Sequence, residues 1–176
     1  MASVEFNKYC HTSRLPTSKL TLNSELSSIN FQNSNKMRII TLIIIHCSAV
    51  QPWQESGLRE IDRWHRQRGW KNGCGYHYIV RRDGSIETGR PLEMVGAHCL
   101  HRNQHSIGIC YEGGLDAAGN PADTRTEAQK AALRELLERL HSEFPKAFIA
   151  GHNVFNPMKA CPCFNAMREY SDLQPD

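Results

Sequence analysis

The chain contains no run of about 18 consecutive apolar residues, so no segment reads as a membrane span. Its first residues hold no apolar stretch of secretory length either, and we read no signal peptide. A concentrated Lys/Arg stripe is missing: 21 basic against 18 acidic residues leave a formal charge of +3, mildly basic and far from the footprint of a nucleic-acid binder. A paired-cysteine framework is missing too. The seven cysteines are odd in number, follow no small-secreted-domain spacing and often sit inside apolar runs, which excludes a disulfide scaffold. They fit a reducing compartment, with most as buried thiols and at least one free to ligate a metal. Cys161 and Cys163 flank a proline with no second cysteine pair at zinc-ribbon spacing; we read Cys161 as a ligand and Cys163 as packing.

What is present reads as one α/β domain, a central mixed β-sheet flanked by helices. At 176 residues the chain is long enough for a single core without staples. Residues 1–36 are rich in Ser, Asn and Thr without sustained periodicity, and are expected to form a loosely ordered N-terminal extension. Met37, directly before the first strong strand, is a candidate natural start, and residues 37–176 are the expected domain.

Within it, Ile39–Ile45 is a nearly continuous β-branched run, the signature of a strand buried on both faces. Ser56 is a candidate cap for a helix carrying Leu58, Ile61 and Trp64 or His65, stopped by Gly69. Tyr76–Arg82 and Ser85–Thr88 flank Asp83-Gly84 as a hairpin. Ser106–Tyr111 is a further strand. Over 126–143, Thr126 and Gln129 form a capping box and Leu133, Leu136, Leu137, Leu140 and Phe144 one apolar stripe, ended by Pro145. Phe148-Ile149-Ala150 is the last strand. The basic face of residues 59–68 reads as solvated surface, and His65 as packing.

Two histidines close apolar runs: Ile43-Ile44-Ile45-His46 and Phe148-Ile149-Ala150-Gly151-His152. Cys161 follows after a short loop containing Pro157. Neutral imidazole and thiolate are ligands favoured by Zn²⁺, and three protein ligands leave one tetrahedral position open, the mark of catalytic rather than structural zinc. Strand ends hold such ligands rigidly while adjoining loops stay free for substrate. Each of the three residues, taken alone, is equally at home in a core.

Eight segments decide between those readings. Ile45-His46-Cys47-Ser48-Ala49, Arg59-Glu60-Ile61-Asp62-Arg63-Trp64-His65, Gly69-Trp70, Gly75-Tyr76-His77-Tyr78, Arg82-Asp83-Gly84, Gly89-Arg90, Ser106-Ile107-Gly108 and Lys159-Ala160-Cys161-Pro162 occur in this order. Together, over about residues 38–170, they resemble the zinc-dependent N-acetylmuramoyl-L-alanine amidases, in particular the small amidase-type lysozymes of bacteriophages and the related peptidoglycan recognition proteins. The resemblance implies a peptidoglycan groove over the metal-bearing sheet edge, one Zn²⁺ on His46, His152 and Cys161, and Tyr76 and Lys159 as catalytic helpers. It also implies a groove wall of His98, Asn103 and His105. The stretch from His152 to Lys159 is one residue longer than the phage pattern, so the loop geometry departs there. His77, next to Tyr76 on a strand, is expected to face the other way into the core or to back the site.

The implied reaction is attack of water on the amide between N-acetylmuramic acid and L-alanine. A thiolate ligand lowers the charge of a zinc centre to about +1 and blunts its acidity, so a cation such as Lys159 near the developing oxyanion becomes useful. Two other readings remain: a non-catalytic peptidoglycan-binding module, disfavoured because all five ligand and helper positions are filled, and a cysteine hydrolase using Cys161 with His152. Pro162 directly after Cys161 disfavours the latter, since no uninterrupted helix start depresses the thiol pKa. The expected partner is peptidoglycan or a muropeptide. The protein is expected to be a monomer that accumulates in the cytoplasm and reaches the wall by lysis or a dedicated export route.

Overall fold

The computed structural model describes residues 38–176; the extension expected over 1–36 and the candidate start Met37 lie outside the described residues. Five strands form one sheet in the order β3-β2-β4-β1-β5. They are β1 (Leu42–Cys47), β2 (Tyr78–Val80), β3 (Ile86–Thr88), β4 (Ser106–Tyr111) and β5 (Phe148–Gly151). β1 pairs in parallel with both β4 and β5, β2 runs parallel to β4, and β2 and β3 form the antiparallel hairpin read from Asp83-Gly84. The mixed α/β domain is therefore the one expected. Among the described residues no helix is long and apolar enough to cross a membrane.

The strand run is apolar throughout because both sheet faces are covered. On one face Ile43, Ile45, Ile107, Ile109 and Tyr111 pack against the Leu133–Leu140 stripe of α2 (Glu127–Glu143). Each such aliphatic side chain contributes about 1.5–3 kcal/mol on full burial. Thr126 Oγ1 accepts the Gln129 amide while the Gln129 side chain accepts the Thr126 amide, so the capping box forms as read. The opposite face carries Ile79 and Cys110 under Ile61 of α1 (Leu58–Gln67). By strand alternation, His46 points to this second face.

Two local readings are corrected. Ser56 does not cap α1: the cap position is Gly57, and the Ser56 hydroxyl donates to Ser48 Oγ at 2.7 Å. The Leu58 amide instead donates 2.6 Å to Glu87 Oε2 of β3, and the Ser56 amide 2.7 Å to buried Glu112, so tertiary carboxylates replace a local cap. β2 is also shorter than Tyr76–Arg82, because the Arg82 amide donates to Glu112 Oε2 (3.1 Å) rather than to a ladder carbonyl. The end of α1 is as read: Gly69, at φ +85, reverses the chain so that the Trp70 amide bonds back to the His65 carbonyl. That reversal lays the Trp70 ring against His65, with centroids 4.4 Å apart.

Candidate active site

The β1–β5 register pairs Ile45 with Gly151, so the next residues, His46 near the end of β1 and His152 just past β5, stand side by side. Their ring centroids lie 4.5 Å apart. After the 3₁₀ turn His152–Val154 the chain loops out and returns, closed by the Asn153 amide on the Cys161 carbonyl at 2.7 Å. Cys161 comes back beneath the sheet edge, where the Cys47 amide donates to its Sγ at 3.2 Å. One donor atom from each of His46, His152 and Cys161 lies within 4.8 Å of the others. Cys163, read as packing, lies against the core with its Sγ 3.9 Å from Cys47 Sγ and donating to the Gly114 carbonyl at 3.3 Å.

The donor set fits zinc chemically: two imidazoles, one thiol whose sulfur receives a backbone N–H, and a spacing that an ion with bonds of about 2.0–2.3 Å draws together. Electrostatics favour the ligating forms. Burial holds His46 well below the ordinary histidine pKa, with His98 and His152 adding to the effect; burial and then the nearby Lys159 charge lower His152. Both rings are thus neutral with a lone pair to give. Tyr76, whose ring is 5.2 Å from that of His46, is pushed well above the usual phenol range by burial and stays a neutral hydroxyl.

These groups share a cavity of about 290 Å³ lined by His46, Tyr76, His98, His152, Lys159 and Cys161. Lys159 also lines a second cavity of about 710 Å³, with Asn153, Val154 and Pro157. A third hollow of about 440 Å³ opens beside the site between Trp70, His98, Asn103, His152 and Asn156.

The five ligand and helper positions therefore come together. The groove-wall residues divide. His98 turns inward, its Nδ1 3.1 Å from His46 Nε2. Asn103 lines the neighbouring hollow and uses its Oδ1 to accept the amides of His98 and Cys99, both at 2.9 Å. His105 is exposed, sits 3.1 Å from the Ile39 carbonyl and borders neither hollow. His77 is fully buried, accepting the Gly108 amide at 2.9 Å, and its ring approaches His98 at 5.8 Å. Arg68, read as part of a solvated face, and Trp70, which received no role from the sequence, also line the cavity. The signal was Gly69, whose helix stop places both neighbours beside His65.

A family profile described as N-acetylmuramoyl-L-alanine amidase matches residues 35–164. The chain belongs to that family. The amidase is 44% identical over 124 residues to an endolysin of Enterobacteria phage K11, covering 70% of this chain and 81% of the relative. It is 43% identical over 126 residues to an endolysin of Escherichia phage T7, covering 72% and 82%. Among solved structures it resembles the N-acetylmuramoyl-L-alanine amidase LysC from Clostridium intestinale, with a TM-score of 0.66 at 27% identity over 79% of this chain and 88% of that one. The amidase is accordingly an enzyme that hydrolyses the amide joining N-acetylmuramic acid to L-alanine in peptidoglycan, and its His-His-Cys cluster is compatible with zinc.

Proposed function

We propose that residues 37–176 act as a monomeric, lytic amidase with one Zn²⁺ held by His46, His152 and Cys161, which gathers in the cytoplasm and meets the wall on release. The observation that carries this reading is the three-donor cluster, supplied by two adjacent strand ends and one returning loop of a single chain. When bound, zinc supplies a Lewis acid for the amide carbonyl and acidifies water towards a pKa of about 7.

The chain's own residues supply the rest. The neutral Tyr76 hydroxyl donates a hydrogen bond to the oxygen that gains charge as water adds to the carbonyl. The Lys159 ammonium, at the cavity rim, brings a full positive charge to the same oxyanion. The Cys47 amide steadies the Cys161 thiolate. Trp70 and Asn103 wall the adjoining hollow, which is placed to receive the sugar or stem peptide, and His98 borders both hollows; His105 lies too far from the cavities for that role.

Metal analysis combined with product analysis on purified muropeptides tests the proposal. One zinc per chain, loss of activity with EDTA, recovery with Zn²⁺ and release of L-alanine amino termini are the expected results. Lysis that survives EDTA but not thiol alkylation would point to a cysteine hydrolase instead.

A further inference from the structure

His98 belongs neither to the three-donor cluster nor to the catalytic helpers, yet it is held on every side. Its Nδ1 lies 3.1 Å from His46 Nε2, and its Nε2 lies 3.3 Å from the hydroxyl of Ser106, which is fully buried at the start of β4. The backbone amide of His98 is fixed by Asn103 Oδ1. Its seat is made by two glycines: a Cβ at either Gly96 or Gly108 would collide with the His98 ring. Gly108 pairs with Ile44 across the β1–β4 ladder, on the sheet face that also carries His46. The ring therefore lies flat on β4 with one edge turned to His46, their planes crossing at 83°.

This chain of bonds can carry its protons in either direction, because the Ser106 hydroxyl can donate to His98 Nε2 or accept from it. An imidazole has one N–H and one lone pair. If His98 donates Nε2–H to Ser106 Oγ, its Nδ1 must accept, and the proton it accepts is the Nε2–H of His46. His46 is then left with its lone pair on Nδ1. A metal that takes the His46 Nδ1 lone pair requires this arrangement, and in it both nitrogens of His98 keep their partners.

We propose that His98 is a positioning residue: seated on Gly96 and Gly108 with Ser106 behind it, it holds the rotation of His46 so that Nε2 faces His98 and Nδ1 is the nitrogen presented to the metal. The inference rests on the reading of His46 as a zinc ligand and adds the identity of the ligating nitrogen and of the residue that selects it. Partners of this kind typically govern about 10- to 100-fold in metal affinity.

The test compares wild type with His46→Ala, His98→Ala, His98→Asn and Ser106→Ala, measuring zinc affinity by competition with a chromogenic chelator. Long-range ¹H–¹⁵N NMR spectra of the zinc-loaded wild type report which His46 nitrogen keeps its proton. The expected results are an Nε2–H tautomer for His46 and about 10- to 100-fold weaker zinc binding in His98→Ala. Asn places an amide oxygen near the lost Nδ1, so His98→Asn recovers much of the affinity, and Ser106→Ala falls between. Should His98→Ala fail to fold, the wild-type tautomer and Ser106→Ala decide. Wild-type zinc affinity in His98→Ala, with only KM raised, would make His98 a substrate contact and overturn the inference; so would an Nδ1–H tautomer in His46. Unchanged zinc binding in His46→Ala would overturn the ligand reading itself, a distinct outcome.

Discussion

His46 and His152 are neighbours at the ends of paired strands, yet the two halves of the site they begin are built differently. The first half stands on β1, which is bonded on both edges, and His46 is 1% exposed among Ile44, Ile45 and the seated His98. The second half hangs from β5, the edge strand, and runs through exposed Val154, Met158 and Lys159 before Cys161 returns. Core packing fixes the first half. A few bonds fix the second: the Asn153 amide on Cys161 O, the Cys47 amide on Cys161 Sγ and the Tyr111 hydroxyl on Pro162 O. One half thus arrives preorganised, while the other is a tethered flap that a shared ion would complete.

The largest effects should come from substitutions that test this division at the ligands. His46→Ala and Cys161→Ala are both expected to lower turnover on purified muropeptides by more than the 10²- to 10³-fold typical of one lost oxyanion donor. They should differ in stability. His46→Ala leaves His98 Nδ1 buried without its partner and should cost about 1–3 kcal/mol in urea unfolding, whereas Cys161→Ala should leave β1 and β4 nearly unaffected. Equal destabilisation would break the comparison. Next in size are Tyr76→Phe and Lys159→Ala, each expected to reduce kcat about 10²- to 10³-fold with zinc content and melting temperature preserved. Because Tyr76 stands in the rigid half and Lys159 on the flap, Lys159→Arg should retain more activity than any shift of Tyr76 would allow.

Much of this division was legible in the sequence, and the parts that were not share a cause. The capping box at Thr126, the leucine stripe and the stop at Gly69 were readable because each is decided within one turn of helix. The gathering of His46, His152 and Cys161 was readable because strand ends and a short return loop constrain where three residues can go. The start of α1 was misread because its cap comes from Glu87 and Glu112, 29 and 56 positions away in sequence. His98 was read as groove wall although its ring faces His46, since its seat depends on Gly96 and Gly108 in separate segments. His105 stood beside it in the groove wall that the family resemblance implies, yet the start of β4 turns it to Ile39. Local rules carry the elements; long-range polar contacts decide which way a loop histidine points.

Acid should strike the rigid half first. His65 and His77 are buried, and burial lowers each to about 4 from an ordinary value of 6.5. The unfolded chain therefore binds protons that the folded chain refuses, so stability is full above about pH 6.5, falls as pH drops through the window and levels off near pH 4. By pH 5 the loss should be about 2 kcal/mol per histidine, seen as a lower urea midpoint; His77→Asn should remove its share of the slope. A smaller effect belongs to the staple. Tyr111→Phe deletes the 2.7 Å bond to Pro162 O and should cost about 1 kcal/mol while weakening zinc binding, because the thiolate is then less firmly held.

The smallest expected effect falls at the tip of the flap, where the comparison is most exposed to refutation. Met158 is 92% exposed, and its amide bonds only the Asn156 side chain, at 3.2 Å. If the flap is held by its base, through Cys161, Pro162 and Asn153, then Met158→Ser removes nothing the fold depends on and should stay within about 0.5 kcal/mol of wild type. Zinc affinity and kcat should not move either, since Lys159 is positioned from Asn156 by its own amide bond rather than by the Met158 side chain. A clear fall in stability would mean that the tip packs against something in solution, and the second half of the site would then be as preorganised as the first. A rise in KM alone would instead make Met158 a contact for the wall polymer, leaving the tethered flap intact and giving it a role in gripping substrate.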